Sequence, residues 1–293
     1  MAEPNTNTPP LRLMAVLAHP DDESLGLGGT LAKYAAEGVG TYLLTATRGE
    51  RGWRGDPASD PGLEAFGKAR EAELSAAAKI LGLREVHFLN YIDGDLDQAD
   101  PAGAIGQIVG HLRRVRPQVV LTFGPEGAYG HPDHMAISQF TTAALVAAAD
   151  PTYQTNLSSM LVAADPIYQT DSSHAPHRVS KLYFIADTVA GQALYARLFG
   201  ELIMPVDGVD RSWAGWPDWM MTTELDTDAY WRTALRAILC HQSQVSEMTN
   251  MVEDCERDHA TLLGRQHLIR AMSLVNGGRK LERDVFEGIR GHL

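Results

Sequence analysis

Two short segments of the chain carry histidines and carboxylates at spacings that suit a metal ion. The first reads Ala-His-Pro-Asp-Asp-Glu at residues 18–23, and the second reads Tyr-Gly-His-Pro-Asp-His at residues 129–134. Each follows an apolar run typical of a buried β-strand, at residues 11–18 and 119–123. Imidazole nitrogens and carboxylate oxygens are ligands of catalytic zinc, and a carboxylate beside a ligand can act as a base. The two strand ends therefore predict one metal site with its own base.

The elements that position these segments alternate between strand and helix. Further strand-like patterns occur at residues 41–45 and 86–89, and apolar residues at helical spacing predict helices at residues 25–37, 63–81, 104–116 and 135–149. Four successive βα units predict an α/β, Rossmann-like fold of three layers, with a mostly parallel sheet and helices on both faces. Ligands bind at the carboxyl ends of the strands in such folds, which is where both segments lie.

The second half of the chain has a less regular pattern. A strand is predicted at residues 181–186, and helices are predicted at residues 226–245 and 254–275. Irregular backbone is predicted for residues 207–219, whose three tryptophans either line a sugar-binding wall or fill the core; they are Trp213, Trp216 and Trp219.

We expect one domain over residues 11–293, preceded by a disordered tail at residues 1–10 and closed by a C-terminal cap over residues 207–293. Residues 150–180 are predicted to form a long loop, in which the Ala-Ala-Asp-Pro segment ending at Pro151 recurs as one ending at Pro166. Two copies do not make a repeat architecture, so we interpret this as a local duplication.

Composition excludes several classes of function. A net charge of −12, without a run of basic residues, predicts no binding to nucleic acid or to an anionic membrane surface. The polar N-terminus lacks the features of a signal peptide, and no apolar stretch approaches the roughly 20 residues of a membrane span, so a cytoplasmic location is expected. Cys240 and Cys255 are too few for a disulfide framework.

The AHPDDE and HPDH segments resemble the hallmarks of the LmbE-like or PIG-L family of zinc-dependent de-N-acetylases. Further similarity lies at residues 47–52, at residues 70–74, at Asp93 and, more loosely, at residues 237–244. The deacetylase and the conjugate amidase of mycothiol metabolism are the most similar members in character. The resemblance implies a hydrolase that uses metal-activated water to remove an acetyl group from an N-acetylglucosamine-like small molecule.

The resemblance also implies roles for individual residues. The metal ligands are His19, Asp22 and His134, holding Zn²⁺, with Fe²⁺ or another divalent ion as alternatives. Asp21 is the implied general base that accepts a proton from the metal-bound water. His131, protonated and oriented by a neighbour such as Asp133, is the implied donor to the oxyanion, and Tyr129 helps to hold the tetrahedral intermediate.

Three further residues match family positions near the sugar. Arg70 and Asp93 match residues that contact sugar hydroxyls, and Glu50 is expected at the rim of the site or behind it. His241 lies in a segment similar to the family's C-terminal His-x-Ser-Gln, but its chemical role does not follow from the sequence. The aglycone of the substrate stays open, because loop residues set that choice. A homo-oligomer is also possible.

Three alternatives compete with a deacetylase. One is a conjugate-type amidase of the same family. Another is a non-haem iron oxygenase, because His19, Asp21 and His134 also fit a triad of two histidines and one carboxylate. The third is a non-catalytic binding protein that retains the metal. A dinucleotide site is suggested only by the glycines of residues 26–29, whose spacing misses the dinucleotide fingerprint.

Overall fold

Seven strands form the central sheet of the computed structural model, which describes residues 10–154 and 175–290 except 202, 207, 214, 247–249 and 279. Five of them pair in parallel: β1 (Arg12–Leu17), β2 (Gly40–Thr45), β3 (Glu85–Phe88), β4 (Val119–Phe123) and β5 (Lys181–Ala186). A separate antiparallel hairpin consists of β6 (Ile203–Val206) and β7 (Val209–Ser212). The sheet is completed by β8 (Thr223–Asp226) and β9 (Arg265–Ser273).

The strand order is β3-β2-β1-β4-β5-β9-β8, with β9 antiparallel to both β5 and β8. The chain therefore reverses direction across the sheet between β1 and β4, and this is the crevice where α/β folds bind ligands. The segment at residues 18–23 follows β1, and the segment at residues 129–134 follows β4.

The longer helices are α1 (Asp22–Ala36), α2 (Leu63–Leu81), α3 (Pro101–Val115) and α5 (Pro132–Ala149), with the short α4 (Gly127–Gly130) before α5. The C-terminal half adds α6 (Val189–Phe199), α7 (Trp231–Ile238), α8 (Gln242–Val245) and α9 (Met251–Leu262). The mostly parallel α/β architecture predicted from the sequence is confirmed.

The core is built on strands that are buried on both faces. Leu13 to Leu17 on β1 and Val119 to Leu121 on β4 are almost completely inaccessible. Burying one such aliphatic side chain stabilises the fold by about 1.5–3 kcal/mol. Rigid strands of this kind hold the loops that follow them in fixed positions.

Several predicted boundaries coincide with the structure, and α1 shows why one does not. The bounds of α2, β4 and β5 match the prediction residue for residue. The first helix begins at Asp22 rather than Leu25, because Asp22 and Glu23 occupy its first turn, where negative side chains interact favourably with the helix dipole.

The predicted helix over residues 254–275 is wrong in its second half. The helix α9 ends at Leu262, and residues 265–273 form β9 between β5 and β8. Gly264 lies between the two elements, and its amide donates to the carbonyl of His259 at the helix end. The apolar pattern of these residues suits a helix or a strand. They form a strand because β5 and β8 provide hydrogen-bonding partners on both sides.

Two other predictions in this part of the chain need correction. Residues 207–219 are not wholly irregular, because β7 pairs with β6. The predicted helix over residues 226–245 is two helices, α7 and α8, separated by a turn around His241 and preceded by a single 3₁₀ turn. The described part of residues 207–293 therefore contains strands as well as helices, and β8 and β9 belong to the central sheet.

The glycines of residues 26–29 serve helix packing instead of a nucleotide. A Cβ atom added to Gly29 would lie 2.8 Å from the Cβ of Thr227, and one added to Gly28 would lie 3.1 Å from the Cβ of Ala234. The absence of side chains there lets α7 pack closely against α1. This contact brings the end of α7 close to the first metal-ligand segment.

Some predictions fall outside the described residues. The predicted N-terminal tail lies outside them except for Pro10, and so does most of the predicted loop with its duplication, at residues 155–174. Among the helices that the structure does describe, none is long and apolar enough to cross a membrane.

Candidate metal centre and active site

The turn after β1 is closed by the carboxylate of Asp22. Its Oδ2 atom accepts hydrogen bonds from the backbone amides of Ala18 and His19, at 3.1 and 2.8 Å. Pro20 stands between these residues and fixes its own φ angle. The carboxylate is thereby anchored through one oxygen, while Oδ1 faces His134.

Three residues from the two segments form a small triangle, in which both oxygens of Asp22 take part. His19 Nδ1 lies 3.2 Å from His134 Nε2, which lies 3.5 Å from Asp22 Oδ1, and His19 Nδ1 lies 3.8 Å from Asp22 Oδ2. Ligands at about 2.0–2.2 Å from a tetrahedral ion are roughly 3.3–3.6 Å apart. The residues present therefore fit a divalent metal ion with two imidazole ligands and one carboxylate.

The other nitrogen of His19 is held by two carboxylates. Its Nε2 atom lies 3.1 Å from Asp133 Oδ2 and 3.2 Å from Asp93 Oδ1. Metal-ligating histidines usually donate their second N–H to such a group, which fixes the ring orientation and makes the ligand nitrogen more basic. This arrangement directs Nδ1 of His19 towards the triangle.

Carboxylates outnumber cationic groups in this cluster, and this shifts the pKa values of its members. Burial opposes protonation of His19, but hydrogen bonds to Asp133 and Asp93 and the charge of Asp22 raise its pKa to about 10. At Asp22, burial raises the pKa of the carboxyl to about 7, although the charge of His19 acts in the opposite direction. Burial and the nearby His19 charge keep the pKa of His134 well below its usual value, so this ligand is neutral. A bound dication would displace the second proton of His19, because metal ions bind deprotonated ligands.

Asp21 occupies a strained backbone conformation beside the triangle. Its φ of 109° and ψ of −30° are rare for any residue other than glycine. Such a conformation costs about 1–3 kcal/mol and persists only where the surroundings impose it. Burial raises the pKa of Asp21 above its usual value, and the Arg70 charge offsets part of this shift. A carboxylate with a raised pKa is a better base.

Arg70 contacts the proposed base Asp21 and also lines the cleft that opens over the site. Its guanidinium donates to Asp21 Oδ2 at 3.1 Å, to the carbonyl of Gly49 at 2.9 Å and to the carbonyl of Pro20. The side chain is 3% exposed. Gly49 has a φ of +64°, and a Cβ atom there would lie 1.9 Å from Arg70 Nη1, so glycine is required for this approach.

Asp93 and Glu50 are also committed to protein contacts. Besides His19, Asp93 accepts the amide of Arg51 through Oδ2 at 3.1 Å, and Glu50 Oε2 accepts the amide of Asp93 at 3.2 Å. Both side chains are buried. Glu50 therefore supports the loop that presents Asp93, and Asp93 also lines the cleft.

Asp133 does not orient His131 through its carboxylate, as the sequence suggested. The carboxylate is fully buried and accepts the amides of Gly94 and Leu96 at 2.7 and 3.1 Å, in addition to contacting His19. It is the backbone amide of Asp133 that reaches His131, donating to Nδ1 at 3.1 Å. A residue at the first turn of α5 places its amide and its side chain in different directions, and the sequence does not show which one is used.

His131 is also neutral, against the prediction of a protonated ring. Burial and the charge of His19 lower its pKa to about 4, although Asp133 acts in the opposite direction. Because Nδ1 accepts an amide hydrogen, we assign the ring proton to Nε2. Neutral His131 can still donate a hydrogen bond from Nε2. With His19 and His134 it forms one possible metal-binding group, and His19, Asp93 and Asp133 form another.

A cleft of about 330 Å³ opens over these residues. Tyr129 lines it with His131, and burial raises the pKa of Tyr129, so the hydroxyl stays protonated as a donor. Trp53 lines the cleft, whereas Trp213, Trp216 and Trp219 do not. Three more lining residues lie in the family-like segments named from the sequence: Arg51, Gly52 and Gln244. The lining residues that the sequence did not indicate are Trp53, Arg54, Gly94 and Met204.

A buried pair behind the cleft was also missed. Glu23 and His241 are both completely buried, and their side chains meet at 2.8 Å. Glu23 ends the AHPDDE segment, and His241 opens the loosely similar C-terminal segment. The signal available in the sequence was their joint resemblance to the family, without any indication that they meet.

Comparison with known proteins bears on the family. A family model described as GlcNAc-PI de-N-acetylase, PIG-L, matches residues 14–145. A 1D-myo-inositol 2-acetamido-2-deoxy-alpha-D-glucopyranoside deacetylase of Streptomyces griseus is 34% identical over 81% of this chain and 76% of its own length. The chain belongs to the PIG-L family.

Further comparisons extend the PIG-L similarity over nearly the whole chain. A deacetylase of the same name from Rhodococcus jostii is 31% identical over 96% of this chain and 99% of its own length. The N,N'-diacetylchitobiose deacetylase from Pyrococcus horikoshii has a TM-score of 0.64 at 18% identity, covering 88% of this chain and 83% of that one. The latter likeness shows a shared fold.

Proposed function

We propose that this PIG-L protein is a zinc-dependent hydrolase that removes the acetyl group from an N-acetylglucosamine-like small molecule. The observation that carries the proposal is the triangle of His19, Asp22 and His134 with the carboxylate of Asp21 beside it, at the base of a cleft. A bound zinc ion would supply a Lewis acid that lowers the pKa of water and polarises the amide carbonyl.

Side chains of the protein would transfer the protons and stabilise the developing negative charge. Asp21, held by Arg70, accepts the proton of the attacking water and returns it to the departing amine. His131 donates from Nε2 to the oxygen on which negative charge develops, and the Tyr129 hydroxyl is a second donor on the same side of the cleft. Asp133 and Asp93 hold the proton of His19 on Nε2, which would leave Nδ1 free to bind the metal.

The named relatives support the substrate class. Two of them, at 31–34% identity, are named for an acetamido-glucopyranoside of inositol. The cleft volume of about 330 Å³ lies at the small end of the usual range for ligand sites, which suits a sugar rather than a polymer. The parallel α/β sheet differs from the jelly roll that usually presents an iron oxygenase triad, which disfavours that alternative.

A panel of N-acetylglucosamine conjugates with neutral, acidic and thiol-bearing aglycones tests the proposal. The protein is reconstituted separately with Zn²⁺ and Fe²⁺, and released amine and released acetate are measured together. We expect equal amounts of both from at least one conjugate, dependent on the metal. Release of a larger acyl group in preference to acetate would indicate a conjugate amidase. Metal binding without any turnover on the panel would favour the non-catalytic alternative.

A further inference from the structure

The strained backbone of Asp21 is held by the side chain two residues further on. The amide of Asp21 donates to Glu23 Oε2 at 3.0 Å. Its carbonyl accepts the amides of Ser24 and Leu25, at 3.0 and 2.9 Å, as the first bonds of α1. The peptide groups on both sides of the Asp21 Cα atom are thus fixed, and this sets the direction of its carboxylate.

Glu23 is in turn held from the far end of the chain. Its Oε1 atom accepts from His241 Nε2 at 2.8 Å and from Ser24 Oγ at 2.5 Å. Burial opposes the charged form of Glu23, but the His241 charge and hydrogen bond lower the pKa of the carboxyl below its usual value. Glu23 is therefore an ionised, fully buried acceptor with one oxygen on Asp21 and the other on His241.

The segment that carries His241 is tied to two more parts of the site. The amide and the hydroxyl of Ser243 donate to Glu73 of α2 at 2.8 and 2.7 Å. Gln244 Nε2 donates to the carbonyl of Gly52 in the cleft-lining loop at 3.1 Å. The segment of His241 is therefore held by α2 and by the loop of Gly52, independently of the turn that carries Asp21.

We propose that Glu23 and His241 are positioning residues for Asp21: His241 holds Glu23, and Glu23 holds the Asp21 backbone in the conformation that directs its carboxylate into the cleft beside the metal-ligand residues. The inference rests on the proposed function, because it concerns the base of that reaction. Neither side chain lines the cleft, so neither touches substrate. Their contribution should appear in turnover and not in substrate affinity.

Kinetics of His241→Ala and Glu23→Ala, with His241→Gln and Glu23→Gln as conservative variants, test the proposal. Misplacing a reacting group by about 1 Å can cost roughly 10²-fold. We expect the alanine variants to lose about 10- to 100-fold in kcat, with KM and bound metal unchanged. His241→Gln keeps a donor that can reach Glu23 and should recover most of the rate. Glu23→Gln has only one acceptor end for donors on both sides, so it should recover much less.

Tyr183→Phe is the matched control for general loss of a buried polar contact. The Tyr183 hydroxyl is also buried and donates to Glu282 at 2.7 Å, and neither residue lines the cleft. This variant should lower the melting temperature while leaving kcat unchanged. If Tyr183→Phe lowers kcat as much as His241→Ala does, general destabilisation explains the loss and the positioning role is overturned.

A second measurement does not depend on turnover. In protein labelled with ¹⁵N-aspartate, hydrogen exchange of the Asp21 amide should be fast in Glu23→Gln or Glu23→Ala and slow in the wild type and in Tyr183→Phe. Where an alanine variant fails to fold, its glutamine counterpart carries the test. Unchanged exchange in every folded Glu23 and His241 variant would overturn the proposal. If wild-type protein releases no amine but the exchange pattern is as expected, only the proposed function has failed.

Discussion

Two buried carboxylate clusters in this protein differ in the balance between cationic and anionic side chains. The first surrounds Glu282, which is 1% exposed, and contains five donor groups. They are Lys181, Tyr183, Thr223, Arg270 and Asn276, at 2.6–3.0 Å. The second is the site cluster, where the carboxylates of Asp22, Asp93 and Asp133 all lie near one imidazole, that of His19.

The difference shows which cluster is complete without a ligand. Burial disfavours the charged form of Glu282, yet its hydrogen bonds from Lys181, Asn276 and Tyr183 lower the pKa to about 2. In the site cluster, burial also disfavours the charged form of Asp93, but the hydrogen bond and charge of His19 lower its pKa to about 2, whereas burial raises the pKa of Asp22 to about 7. A carboxylate with cationic partners stabilises the fold, whereas buried carboxylates that outnumber the cationic side chains are stabilised by a bound cation.

Removing a metal ligand should have the largest effect. We expect Asp22→Asn and His134→Ala to lose metal affinity by more than about 10²-fold, because losing a ligand should cost more than losing one of its outer partners, which typically costs 10- to 100-fold. Activity should disappear with the metal. Elemental analysis after gel filtration measures the metal, and full occupancy in either variant would show that the ligands are misassigned.

Neutralising the base should separate chemistry from metal binding. Asp21→Asn keeps the shape of the side chain but cannot accept a proton, so kcat should fall by about 10²–10⁴-fold. Metal content should equal that of the wild type. Near-normal turnover would assign water activation to another group.

Breaking the satisfied cluster should affect stability alone. Glu282→Ala leaves Lys181 and Arg270 without their carboxylate partner, and truncating one member of a buried ion pair costs about 3–5 kcal/mol. Urea unfolding should show this loss, while kcat per folded molecule and metal content stay at wild-type values. A kcat loss in the folded protein would show that the two clusters are coupled.

Changing an outer partner of His19 should have a moderate effect on the metal. Asp133→Asn retains a buried acceptor oxygen but removes the charge that polarises His19, so metal affinity should fall about 10- to 100-fold. Competition with a chromophoric chelator measures this change. The same substitution at Glu282, Glu282→Gln, provides the comparison and should leave metal affinity unchanged.

Acid titration should show the smallest effect. The carboxyl of Glu282 has a pKa of about 2 in the folded protein, against an ordinary value of 4.5. Its stabilisation is therefore fully present above about pH 4.5 and is lost as the pH falls towards about 2. Unfolding free energies measured between these values should decline less steeply in Glu282→Gln than in the wild type. Equal slopes would assign the acid sensitivity to other carboxyls.

Local pattern was sufficient to predict much of the framework and the candidate ligands. The apolar runs that became β1, β4 and β5 needed no information from distant residues, because buried parallel strands are continuously apolar. The segments at residues 18–23 and 129–134 follow two of those strands, so their meeting was predictable from topology.

Tertiary structure decided what each polar group contacts. His241 meets Glu23 across 218 positions of sequence, and the carboxylate of Asp133 turns to His19 and the amides of the loop after β3 instead of to His131. The neutral state of His131 depends on burial and on the charge of His19, and β9 is a strand because β5 and β8 lie on either side of it. Period and spacing report which face of an element is apolar. Hydrogen-bond partners and protonation depend on groups that only the folded chain brings within a few ångströms.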